Sequence, residues 1–238
     1  MQLFTISIMR FAMRRGGLFL LLVGACMATV SLSASASLIP RAGNAMVYDA
    51  DRNITWLADA NYARTSGYDS DGRMTWAQAL AWAESLAFGG FDDWRLPNSE
   101  QPDASCSNAY QGVSHGFGCR QSDMGHLFYD ELGGEAVRRI SLSTDPDVLL
   151  FSNIQDDPSN TAYWTGQNWP GDALWAQAFT FSGGGMGGVP VEGYYYAWAV
   201  RDGDVIPNVT EPGVLNLLSI GLAGWVGVAR RRAARPIS

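Results

Sequence analysis

Two apolar runs, one at each end of the chain and each flanked by arginines, decide how much of this sequence can fold as a globular domain. At the start, Arg10, Arg14 and Arg15 precede GLFLLLVGACMATV, and the small-residue site Ala34-Ser35-Ala36 comes after it. That order is the three-part layout of a secretory signal peptide, with cleavage expected after Ala36. Val23-Gly24-Ala25-Cys26 keeps a lipoprotein signal open as the competing reading. At the other end, seventeen mostly apolar residues, 213–229, precede Arg230-Arg231-Arg232. They are just enough to cross a bilayer, with the arginines holding the end on the cytoplasmic side. What remains is one domain over residues 37–208, large enough to bury a core without a metal or a dense disulfide framework.

Charge narrows the partners of that domain. Nine arginines and all 23 acids lie between Arg15 and Arg230, a net of −14, and the chain has no lysine. Nucleic acid and anionic lipid are therefore poor partners. Schiff-base chemistry and a phosphate-loop lysine are excluded outright. Once the leader is removed, Cys106 and Cys119 are the only cysteines, and in an exported chain they are expected to form a disulfide.

The pattern within the domain predicts an α+β fold with two short helices. Thr75-Trp76-Ala77-Gln78 is a capping box, and Trp76, Ala79, Leu80, Ala83, Leu86 and Ala87 recur at helical spacing until Gly89-Gly90. A second helix is expected from Met124 to Leu132. Short aromatic runs bounded by turn residues predict strands at 45–48, 54–57, 162–165, 174–181 and 194–200, with the glycine-rich stretch 183–188 joining the last two.

The order Ile54-Thr55-Trp56, TWAQALAWAESLAFGG, Asp93-Trp94-Arg95-Leu96-Pro97, MGHLFYDELG, Tyr163-Trp164-Thr165 and YAWAVRDG resembles the Lcl C-terminal domain family. The resemblance implies a C-type-lectin-like fold, in which a twisted antiparallel sheet brings the chain ends together. It gives Trp76, Asp93, Trp94, Arg95, Leu96, Pro97, Trp164, Trp198 and Arg201 structural roles, and it implies binding of sulfated polysaccharide. The C-terminal segment Thr210-Glu211-Pro212, the apolar run and Arg230 to Arg232 resemble the PEP-CTERM sorting signal, with Thr210 in place of the first proline. That likeness implies an exosortase as partner and a passing anchorage in the inner membrane before release to the envelope or exterior.

No catalytic constellation stands out. His126, with Asp123 and Asp130 near it in sequence, reads as a partly buried or capping residue, and His115 reads as surface. Calcium is the one cofactor with any support, from the acidic loops at Asp145, Asp147, Asp156, Asp157 and Asn160. The run Asp69-Ser70-Asp71-Gly72 fails as an EF-hand because Leu80 stands where a glutamate is required. Gln101-Pro102-Asp103 matches a lectin tripeptide out of its context. Arg95 is expected to pair with a carboxylate, Asp93 or Glu100, or to stack on an aromatic ring. For a sugar ligand the candidate contacts are Trp169, Tyr195, Arg138 and Arg139. The expected function is thus a non-catalytic module that binds extracellular polysaccharide, or a structural surface protein without a specific ligand.

Overall fold

The computed structural model of the protein describes residues 37–159 and 161–205. Ala34, Ala36, Asn160, Thr210, Glu211, Pro212 and Arg230 to Arg232 therefore lie outside the described residues. Among the described residues, no helix is long and apolar enough to cross a membrane.

The domain is α+β, with short helices and mainly antiparallel pairing, arranged as two sheets and a hairpin rather than as one sheet. The first sheet runs in the order β1 (Leu38–Arg41), β2 (Met46–Asp49), β3 (Ile54–Leu57) and β11 (Val200–Asp202). The second runs β4 (Arg73–Met74), β10 (Tyr195–Tyr196), β7 (Ala162–Trp169), β8 (Asp172–Thr180) and β9 (Gly185–Pro190). β5 (Asn108–Tyr110) and β6 (Val113–His115) form the hairpin.

A single stretch of chain serves both sheets. The expected strand 194–200 is split: β10 pairs with β4 and β7, β11 pairs with β3, and Ala197, Trp198 and Ala199 cross between them with no exposed surface. Trp198 fills the crossing. Its ring lies 5.1 Å from Trp56, 5.2 Å from Phe151 and 5.5 Å from Phe181, mostly edge-on, and its indole N–H donates to the Leu57 carbonyl at 2.7 Å. The donor that makes an indole costly to bury is thus satisfied. Trp164 likewise donates to the Met74 carbonyl at 2.8 Å. Trp76, only partly buried, donates to that of Thr165 at 2.9 Å.

The helix α2 (Trp76–Ser85), preceded by the single turn α1 (Tyr62–Thr65), begins as the sequence predicts. Thr75 and Gln78 exchange the two bonds of a capping box. It ends sooner, at Ser85, where Leu86 turns extended. The reason is tertiary. Phe88 packs on Tyr62 and Trp94 and bridges Phe91, while Gly89 and Gly90, both with positive φ, make the turn between them.

The second helix is also shorter than its pattern. α3 (Asp123–His126), capped by Ser122 accepting from Gly125 N–H at 3.0 Å, gives way at once to a wide π turn over Leu127–Glu131. There Leu132 N–H bonds the Leu127 carbonyl, five residues back.

The glycine-rich segment is a strand and not the expected connector. β9 pairs with β8 over its whole length, from Thr180↔Gly185 to Trp175↔Pro190. One of its glycines, Gly188, receives the ring of Trp169.

Two arginine pairs hold the DWRLP segment to β11. Arg95 and Val200 exchange both backbone bonds, at 2.8 and 2.9 Å. Arg201 then grips Asp93 with two bonds, of 2.7 and 2.8 Å, its guanidinium 4.1 Å from the Phe91 ring. Arg95 bonds Asp202 at 2.6 Å and Asp123 at 3.4 Å, not Asp93 or Glu100 as its neighbours in sequence suggest. Pairing across strands outranks proximity along the chain. Asp49, at the end of β2, has no exposed surface, and burial pushes its carboxyl up to about 6.

Candidate functional site

The longest antiparallel pair, β7 and β8, is joined by Pro170-Gly171, with Gly171 at positive φ as a tight turn demands. Two tryptophans flank that turn. Trp169 closes β7, and Trp175 on β8 stays 41 % exposed. A second turn reaches toward them from the β5–β6 hairpin, where Gln111 and Gly112 both take positive φ and the ring of Tyr110 is 64 % exposed. Together Tyr110, Gln111, Trp169, Pro170, Asp172 and Trp175 line an open groove of about 390 Å³.

Trp169 is positioned from beneath and from the side. Gly188 of β9 lies against its face, and the His115 ring is 6.2 Å away, half-buried rather than free at the surface. On the far side of Pro170 a second groove, of about 370 Å³, is lined by polar side chains: Ser99, Glu100, Gln101, Gln167, Asn168 and Gln177. Their amides are ordered by one another. Gln101 Nε2 donates to Gln177 Oε1 at 3.0 Å, Gln167 Nε2 to Asn98 Oδ1 at 3.0 Å, and Ser99 N–H to Gln167 Oε1 at 2.6 Å.

The hairpin that supplies Tyr110 is held by the Cys106–Cys119 disulfide, formed as expected. Gln101 and Asp103, which resemble a lectin tripeptide, bind the same loop from inside. Gln101 takes Ser114 N–H at 2.7 Å, and the buried Asp103 takes those of Ser105 and Gln121.

These geometries account for the order of motifs in the sequence, and the comparison with known families agrees with it. A family model described as the Lcl C-terminal domain matches residues 45–201. The chain belongs to the Lcl C-terminal domain family. No curated protein and no solved structure gives a match. The limits of this Lcl C-terminal domain fall at the start of β2 and at Arg201, whose pair with Asp93 joins the last strand to the DWRLP segment. Of the family-motif residues, Trp94, Leu96, Pro97, Trp164, Trp198 and Arg201 are buried.

The candidate sugar contacts do not share one place. Trp169 lies in the groove. Tyr195 packs edge-on against Trp164 at 5.0 Å, beside the opposite end of β7. Arg138 pairs with Glu135 at 3.1 Å, and Arg139 stands 3.9 Å from Asp157. None of these three lines the aromatic groove. Tyr194, 58 % exposed, is the ring that the tyrosine run presents to solvent.

The acidic loops offered for calcium already have carboxylates that accept from backbone N–H groups. Asp145 accepts from Asp147 N–H at 3.0 Å, Asp156 from Ser141 N–H at 2.9 Å, and Asp157 from Ser159 N–H at 2.8 Å. Among the described residues these carboxylates do not gather into a set of three ligands.

Trp175 and Tyr110 are members of the groove that sequence reasoning missed. A signal for Trp175 was there: two tryptophans astride Pro-Gly in a hairpin must both stand near its tip. Tyr110 carried none, because its place depends on a loop fold that only the disulfide and the Gln101 contacts define.

Proposed function

We propose that this is a non-catalytic polysaccharide-binding or adhesion module of the cell surface or extracellular matrix. The observation that carries this reading is the groove with Tyr110, Trp169 and Trp175 around it. Aromatic rings offer apolar faces to the C–H face of a sugar ring, and the adjoining amides suit its hydroxyls. The groove holds Asp172 and no basic side chain. A neutral sugar face, or an acidic one bridged by a cation, therefore suits it better than a sulfate held by arginine.

Export and sorting belong to the same proposal. The leader 1–36 and the PEP-CTERM-like tail 209–238 fit a protein handed to an exosortase after passing through the inner membrane. The C-type-lectin-like assignment draws support from the sheet order β1-β2-β3-β11, which places the first and last strands of the domain in one sheet. The deciding experiment is affinity electrophoresis of the secreted protein against neutral and acidic polysaccharides, with and without calcium. Retention that falls in Trp169→Ala supports the module. No retention on any of them returns the domain to a structural surface role without a ligand.

A further inference from the structure

Away from the groove, three ligand-type side chains meet under β1. Asp49 ends β2, His126 ends α3, and Glu131 ends the π turn. One atom of each lies within 4.8 Å of the other two. His126 Nε2 is 3.1 Å from Glu131 Oε1 and 3.8 Å from Asp49 Oδ2. Ligands around a tetrahedral ion at about 2.0–2.2 Å stand roughly 3.3–3.6 Å apart. The two distances from His126 bracket that of a coordination shell.

The other atom of each side chain is held from outside. Asp49 Oδ1 accepts from Arg52 N–H at 2.9 Å. Glu131 Oε2 accepts from Ser37 Oγ. His126 Nδ1 lies 3.2 Å from Asp130 Oδ2, and Asp130 is steadied in turn by Arg120. In the tautomer that donates Nδ1–H to Asp130, the lone pair of Nε2 faces the two carboxylates. This carboxylate–histidine arrangement is the outer shell that orients metal ligands. The inner atoms are left over: Asp49 Oδ2 and His126 Nε2 are buried without a hydrogen-bond partner, and the Asp49 side chain has no exposed surface. In that tautomer the buried Asp49 oxygen faces acceptors alone, which is costly unless a cation joins them. The π turn has a role here too, since its five-residue spacing brings Glu131 round beside His126 while Asp130 keeps the fourth-residue position.

We propose that Asp49, His126 and Glu131 bind a divalent transition-metal ion, zinc in the first place, which pins the β2 hairpin to α3. One imidazole nitrogen with two carboxylate oxygens suits zinc, cobalt or manganese better than calcium, whose ligands are oxygens alone.

The test uses untagged, secreted protein stripped with chelator, then titrated with zinc, cobalt, calcium and magnesium by calorimetry and thermal melting. The expected result is one zinc per chain, a melting temperature that rises with zinc, and cobalt absorption bands of a low-coordinate N/O site. Asp49→Asn should abolish binding. Because that change can also disturb the fold, Asp130→Asn, at a side chain one third exposed, serves as the second variant, with affinity expected to fall about 10- to 100-fold. Absence of saturable zinc binding, or binding left unchanged in Asp130→Asn and in His126→Gln, overturns the proposal and leaves a proton as what joins the three groups.

Discussion

The Trp169 indole presses so closely on Gly188 that a β-carbon built on the glycine would come 2.6 Å from ring atom Cε3 and 3.0 Å from two others. The strand of β9 is bare at that point so that a ring can lie on it. Gly188→Ala should therefore push Trp169 out of the groove while leaving the fold intact, and it should weaken polysaccharide retention as much as Trp169→Ala does. A loss of about tenfold corresponds to roughly 1.4 kcal/mol, the scale of one well-placed aromatic contact. Circular dichroism beside affinity electrophoresis separates binding from folding.

Reduction of Cys106–Cys119 releases a 13-residue separation in sequence and should cost about 3 kcal/mol in the chain-entropy picture. The core sheets lie outside the loop and should survive. The Tyr110 turn should not keep its place, so binding is expected to fall before the melting transition is lost, as titration with reductant followed by both readouts would show.

Acid should destabilise the domain through its paired carboxylates. The Arg201 guanidinium holds the Asp93 carboxyl below its ordinary value, and Arg41 does the same for Asp204 across two 2.7 Å bonds. A depressed folded-state pKa means that the stabilisation is fully present above the unfolded value, near 4, and is lost as pH falls through the folded value. The melting temperature should thus be level with respect to these two groups down to about pH 5 and fall below about pH 4. Arg201→Met should flatten the Asp93 part of that fall and, because the Asp93 side chain is 54 % exposed and water screens the pair, cost no more than about 1 kcal/mol at neutral pH.

Trp198→Phe should be more damaging than its small loss of volume suggests. It leaves the Leu57 carbonyl, now bonded at 2.7 Å, without its donor inside the core, a penalty of about 1–3 kcal/mol on top of the cavity. Chemical denaturation measures it directly.

Intact-mass analysis checks the processing. A secreted chain beginning at Ser37 is expected. One that begins at a lipidated Cys26, or that keeps Arg230 to Arg235 beside an active exosortase, would refute the assignment.

Much of this fold was legible because its signals are local. Thr75 and Gln78 mark a helix start whatever surrounds them, and Ile54 to Leu57 reads as a strand by residue type alone. The errors fall where distant residues decide. Leu86 leaves the helix because Phe88 is drawn to Tyr62 and Trp94, and β9 looks like a linker until Trp169 is known to lie on it. Arg95 shows the same limit at the level of charge, since Asp202 becomes its partner only after two strands have paired. In the candidate groove, Trp169 could be picked out from its turn, whereas Tyr110 arrives from a separate hairpin.

The buried crossing at Ala197 to Ala199 has a mechanical side. If the chain is held from its C-terminal side, beyond Val205, while a polymer is gripped near Trp169, tension between the two points runs along β8, β9 and β10, past the Trp198 anchor and into β11. The backbone crossing, and not side-chain packing alone, then joins the load on one sheet to the other. In an adhesion module of the kind proposed, that crossing is the point through which a pull on one sheet would reach the other.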